Sequence, residues 1–181
     1  MVSLVVIFWM YVILFAIIGA MRGWARELLV SFATILALFI VTVMERFAPA
    51  FVGKTLENLN TVQFWLRAGL ILGLVFFGYQ SPNIPKLAQQ ARFARERLQD
   101  ILLGVFLGAF NGYLVAGSIW YYLDAAKYPF KKIIDAPTGT VEELTNRMMA
   151  MMPPHLLGAN DSAAIYFAVA LAFAFVLVVF I

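Results

Sequence analysis

Residues 101–123 read ILLGVFLGAFNGYLVAGSIWYYL, an apolar run that carries Gly104, Gly108, Gly112 and Ala116 at four-residue intervals. Four residues is about one helical turn, so these small side chains line up as one smooth stripe on a helix. The run is long enough to cross the hydrocarbon core of a bilayer. Inside lipid, a stripe of small residues lets another helix approach closely, and packing takes the place of the missing hydrophobic force. The spacing predicts a close-packed seam. It leaves open whether the partner helix belongs to this chain.

Four further apolar runs, 2–20, 28–44, 64–79 and 164–181, flank that one. Together the runs predict an all-α integral membrane protein of five transmembrane helices. The run at 64–79 is the shortest and needs thinning of the bilayer, tilt or recruitment of flanking residues. Apolar residues make up 64% of the chain and charged residues 13%, a balance no water-soluble domain of this length could bury. The first run has no Lys or Arg before it and flows directly into Arg22 and Arg26, so it reads as a retained span and not as a signal peptide. There is no cysteine, which excludes disulfides and thiolate sites. The net charge of +3 is split among several loops. That distribution points to topology and lipid headgroup contact, not to nucleic-acid binding.

The connections divide the chain into a four-span region at 1–124, a long loop at 125–163 and a last span at 164–181. The short turn around Arg22, Gly23, Arg26 and Glu27 predicts that the first two helices are antiparallel neighbours. Pro49 and Gly53 break the second connection. After Pro82 and Pro85, residues 86–98 read as an amphipathic helix, with Leu87, Ala91, Ala94 and Leu98 on one face. Lys86, Arg92, Arg95 and Arg97 lie elsewhere on it. That pattern suits a helix lying on anionic headgroups, and a solvated connector helix fits equally. In the long loop, Thr140 and Glu143 have capping-box spacing. Val141, Leu144, Met148 and Met151 or Met152 follow at helical spacing until Pro153 and Pro154 stop the helix. Its methionine-rich face either packs on the ends of the spans or docks another subunit. Basic density in the first and third connections predicts an outward N-terminus and a cytoplasmic C-terminus.

Small residues at four-residue spacing recur at Gly19 and Gly23, at Gly69 and Gly73, and at Ala164, Ala168 and Ala172. Asn111 sits mid-span and is expected to bond a neighbouring helix; a polar point on a permeation path is the sharper reading. Arg67 and Asp124 fall near span ends, where side chains can snorkel. No other ionisable residue is expected deep in a span, which argues against a proton or ion transporter. His155 is the sole histidine and has no companion for a metal site and no triad context. The chain therefore reads as non-catalytic, with no cofactor or metal of its own. A lipid or pigment could still lie against its aromatic surface.

Two segments together carry a family likeness. One is Met21-Arg22-Gly23-Trp24-Ala25-Arg26-Glu27 after an opening span; the other is Asp100 followed by Gly104, Gly108 and Gly112 opening a later one. Over roughly residues 2–124 the chain resembles the colicin V production (CvpA-like) family of bacterial inner-membrane proteins. Ser3 and Leu4 stand where that family often carries an acidic residue, and the fifth span lies beyond its usual four. The resemblance implies a bacterial inner-membrane protein linked to toxin production or export and to envelope homeostasis, with no established chemistry. Beside it, the charges predict Arg22 and Arg26 at the cytoplasmic headgroups and Trp24 at the interface. Asp100 is expected at the N-terminus of the fourth span, paired with Arg22 or Arg26. A second class of function is an accessory scaffold subunit of a larger membrane complex, respiratory or photosynthetic. The fifth span and the methionine-rich loop add contact surface for that role.

Overall fold

A computed structural model describes residues 3–47, 60–80, 94–131, 133–134, 136–158 and 163–180. Among them there is no strand. Seven helices run in order: α1 (Leu4–Arg22), α2 (Trp24–Phe47), α3 (Asn60–Tyr79), α4 (Ala94–Ala125), α5 (Thr140–Met149), α6 (Pro153–Gly158) and α7 (Ala164–Phe180). Helices α1 to α4 are long and apolar enough to cross a membrane, and α7 is a shorter apolar helix of 17 residues. Helix is the form such segments must take in lipid, because every backbone polar group is then satisfied within its own segment.

Helix α1 is capped by Ser3, whose hydroxyl oxygen accepts from the Val5 N–H at 3.3 Å. It ends at Gly23, which holds φ +85° and donates its N–H to the Gly19 carbonyl at 2.9 Å. An L side chain rarely adopts that backbone. Helix α2 begins at the very next residue. The two helices run in opposite directions, as the short turn predicts, but α1 packs chiefly on α4 and much less on α2. Helix α2 lies at the centre, against α3, α4 and α7. The core joins Val30, Ala37, Leu38 and Val41 of α2 to Ala68, Ile71 and Val75 of α3, Val115 and Leu123 of α4, and Ile165 of α7. The outside is apolar too. Trp9, Met10, Ile13 and Ile17 of α1, Phe76 and Phe77 of α3, and Phe167 and Leu171 of α7 are all exposed. Hydrocarbon solvates such a surface and water does not.

Several expectations change. Lys86 and Arg92, with most of the expected interfacial helix, lie outside the described residues. From Ala94 onward the chain is already the start of α4, so Arg95 and Arg97 belong to its first turns, with Arg97 exposed. The capping box does not form: Gly139 is the cap residue of α5 and no side chain bonds there. Pro153 and Pro154 open the short helix α6 instead of only ending α5, since proline's fixed φ suits a first helical turn. The buried face of α5 is also rotated from the expected one. Thr145 and Met149 are buried and Met148 is half-buried, while Val141 and Leu144 are exposed; beyond the end of α5, Met152 and not Met151 is the buried one of the two expected alternatives. Met149 and Met152 pack on Phe8 and Trp120, so these methionines seal one end of the bundle. Tyr113 fastens that segment by donating its hydroxyl to the Met151 carbonyl.

Candidate functional site

The glycine stripe on α4 is filled by α1. A Cβ built on Gly104 overlaps the Gly19 carbonyl oxygen, and one on Gly108 overlaps the Phe15 carbonyl oxygen. One built on Gly112 comes within 2.9 Å of the Phe15 Cβ and the Val12 Cα. From Gly19 through Phe15 to Val12 the contacts climb α4 as they descend α1, so the helices are antiparallel and touch backbone to backbone. Ala116 continues the stripe only in part; it lies beside the Phe8, Trp120 and Met152 cluster. The close approach there is at Gly117, where a Cβ comes within 2.9 Å of the Met152 sulfur. Gly69 and Gly73, expected to form a second packing stripe, meet nothing within 4 Å. The tight α2–α3 approach is at Gly78, whose Cβ position is 2.9 Å from the Ala33 Cβ.

Below the seam, the Gly23 corner rests on Asp100. A Cβ on Gly23 would lie 2.8 Å from both carboxylate oxygens. Asp100 Oδ1 accepts from the Trp24 N–H at 3.0 Å. The first N–H groups of a helix have no partner in their own helix, so Asp100 caps α2 from another part of the chain. Because α4 begins at Ala94, Asp100 is not at the start of its own helix as expected. Asp100→Ala should cost about 1 kcal/mol, the usual worth of an N-cap, and Asp100→Asn less than half as much. Thermal unfolding of the detergent-solubilised protein measures both.

Arg22 turns to Glu27. Its Nη1 lies 2.8 Å from Glu27 Oε1, and its Nη2 donates to the Tyr79 carbonyl at 3.0 Å. The guanidinium also sits 4.3 Å from the centre of the Tyr79 ring, in cation–π range. Of the two arginines expected to pair with Asp100, Arg22 pairs with Glu27 instead. Arg26 is partly buried on α2.

Glu27 is fully buried at 0% exposure, contrary to the expectation that no ionisable group beyond span ends lies deep. Asn111 donates both amide hydrogens to it, at 2.9 Å to Oε2 and 2.9 Å to the Glu27 carbonyl. The Tyr79 hydroxyl reaches Oε2 at 3.5 Å. Ser31 donates to the Asn111 oxygen at 2.6 Å. One carboxylate on α2 thereby ties in α1 through Arg22, α3 through Tyr79 and α4 through Asn111. Its place in the first turn of α2 also suits the positive end of the helix dipole. An amide with both donors and its acceptor in use is as fully satisfied as its chemistry needs. Asn111 thus takes the expected interhelical role. One sequence signal for this site was available: Glu27, Ser31 and Thr34 lie at i, i+4 and i+7, one polar face of a helix, and all three are buried.

The opposite end is simpler. Arg67 pairs with Glu45 at 2.7 Å and lies 5.4 Å from the centre of the Tyr122 ring. Beyond the end of α4, the Tyr128 hydroxyl accepts from the Trp120 indole N–H at 3.4 Å, and burial pushes the Tyr128 phenol above its ordinary range. No set of three metal-binding side chains gathers among the described residues, and His155 lies against the Tyr121 ring. The geometry holds helices together, with both oxygens of its buried carboxylate already bonded. No protein-family model, curated protein or solved structure matches the chain.

Proposed function

We propose that this chain is a non-catalytic, multi-span protein of the bacterial inner membrane that works through helix association. It acts in the manner of the CvpA-like family, supporting toxin production or secretion or envelope function. The observation that carries this reading is the convergence of the two motif segments. The Arg22–Glu27 turn and the Asp100–Gly112 segment meet in one unit, through Asp100 on the Trp24 N–H and Gly19 on Gly104. Residues that a family keeps for a shared mechanical purpose are expected to meet in this way. In the same proposal α7 is a fifth span. The end of the bundle bearing Arg22, Arg26 and Arg97 faces the cytoplasm, with the N-terminus outside and the C-terminus inside.

A second reading, an accessory subunit of a larger membrane assembly, is favoured by one feature: Gly69 and Gly73 stand open beside the exposed Trp65, Leu72 and Phe76. Expression in a bacterium lacking its own CvpA-type protein tests the first reading. Restored toxin export or envelope integrity by the intact chain, and not by Gly108→Leu, is the expected result. Failure of the intact chain at normal abundance counts against it. Mild-detergent purification with mass spectrometry of co-eluting chains tests the second. Stoichiometric recovery in a large complex supports it, and elution alone or as a homo-oligomer opposes it.

A further inference from the structure

Leu103, Phe106 and Phe110 form an exposed stripe along α4, and Tyr113 and Gly117 continue it at helical spacing. The stripe is closed at Gly117, where a Cβ would come within 2.9 Å of the Met152 sulfur and 3.0 Å of the Pro153 Cδ. Residues 151–153, between α5 and α6, therefore lie on the flank of the bundle near its outer end. We propose that α5 and α6 are embedded side-on in the outer leaflet, with Val141, Leu144, Met151 and Leu156 against lipid acyl chains. The proposal rests on the reading of α1 to α4 as membrane spans with the Arg22 end in the cytoplasm.

Three observations select lipid as the cover for those side chains. The first is depth. Gly117 stands about 10 Å along the helix axis from Asp124. A Cβ on Gly158 would lie 3.0 Å from the Thr42 hydroxyl oxygen, and Thr42 stands about 5 Å along α2 from Glu45. Glu45, paired with Arg67, and Asp124 are charges of the outer end. The segment thus lies about 5–10 Å inside them, the depth at which an amphipathic helix rests in a membrane surface. The second is the backbone. At that depth an irregular stretch must satisfy its own polar groups, because lipid offers no partners. The Ala150, Met151 and Met152 N–H groups donate to the Asn146, Met148 and Met149 carbonyls at 3.4, 2.9 and 3.2 Å. The Met151 carbonyl accepts from the Tyr113 hydroxyl, and Pro153 and Pro154 have no N–H to satisfy. A turn in water needs no such closure, since solvent supplies the partners. The third is the pattern on α5. Val141, Leu144 and Met148 widen the apolar side that holds the buried Thr145 and Met149, and Glu142, Glu143, Asn146 and Arg147 are exposed on the other side. Met148 and Tyr113 pack on the same Phe8 and Trp120 cluster, so the open half of that apolar side adjoins the lipid-facing stripe of α4.

The cysteine-free chain can carry single spin labels at Met151→Cys, Leu156→Cys, Glu143→Cys and Phe106→Cys, all exposed positions where a label disturbs no packing. Each labelled chain is reconstituted intact in vesicles of palmitoyl-oleoyl phosphatidylcholine and phosphatidylglycerol. Collision rates are then measured with oxygen, which concentrates in lipid, and with nickel ethylenediaminediacetate, which stays in water. Labels at 151 and 156 should favour oxygen severalfold more than the label at 143, and should lie about 5–10 Å below the lipid phosphates. The label at 106, on the lipid-facing flank of a span, should favour oxygen as well. Preference for the nickel complex at 151 and 156 places the segment in water, and shielding from both probes means that a second copy covers it. Either result, or equal values at 143 and 151, overturns the proposal. Nickel access at 106 refutes the span reading itself, which sets that failure apart from a failure of the embedded segment alone.

Discussion

Gly108→Leu is expected to pull α1 off α4 and to lower stability by about 3 kcal/mol or more. Overpacking a close-packed site typically costs about 1–3 kcal/mol when side chains can move aside. Here they cannot, because the atoms in the way are the Phe15 carbonyl and the Gly19 Cα, both backbone. Even the first carbon of a side chain at Gly104 or Gly108 meets main chain, so Gly→Ala at either position should already be costly. The same change at Gly73 should be neutral or stabilising by about 0.5–1 kcal/mol, since Ala is the better helix former and nothing lies within 4 Å. Reversible unfolding in mixed micelles, followed by intrinsic tryptophan fluorescence, gives the four values side by side. Equal effects at Gly108 and Gly73 would show that the stripe on α4 is lipid-facing.

Removing the buried carboxylate is the second large effect. Glu27→Leu leaves the Arg22 guanidinium without its ion partner and takes one acceptor from Asn111. Breaking a buried pair from one side costs about 3–5 kcal/mol. The Arg22 side chain retains 18% exposure, so solvent relieves part of this and the lower end of that range is expected. Asn111→Leu should cost a comparable amount, because Glu27 Oε2 then keeps only the long Tyr79 contact at 3.5 Å. Ser31→Ala removes a neutral hydroxyl that donates to the Asn111 oxygen and lies 3.2 Å from the Glu27 carbonyl, and should cost about 1 kcal/mol. The double variant Glu27→Leu with Asn111→Leu should cost clearly less than the sum of the two singles, because they share one network. Strict additivity in that cycle would mean that the two residues act separately.

The parts of this fold that were legible in the sequence are those set by local periodicity. The four-residue glycine spacing located the α4 seam, and the same spacing flagged Gly19, which turned out to be its counterpart. Length and apolarity located the four long helices. What spacing cannot supply is the direction in which a stripe faces. Gly69 and Gly73 have the same pattern as Gly104 and Gly108, yet they face open space. Gly78 follows Gly73 by five residues, about 140° around the helix at 3.6 residues per turn, and that other face is the one that meets α2. Glu27 was marked as part of the short turn, but its burial was not legible, for a related reason. The turn pattern does not say which way a residue beside it faces, whereas the single-residue corner at Gly23 starts α2 with Glu27 turned into the bundle. Asp100 likewise looked like a cap for its own helix and serves another. Burial and partner choice at these positions come from how the helices cross, which the linear pattern does not contain.

The absence of cysteine gives a clean background for the most direct measurement of the α1–α4 seam. Cysteines replacing Phe15 and Gly112 would have their Cβ atoms 2.9 Å apart, so a separation of the two helices by about 0.6 Å or slightly more brings them into the disulfide range of about 3.5–4.5 Å. Oxidation in native membranes should give a monomer whose gel mobility shifts on reduction, while Phe15→Cys with Gly73→Cys should give none. A disulfide-linked dimer, or no cross-link at all between positions 15 and 112, would contradict a seam formed within one chain.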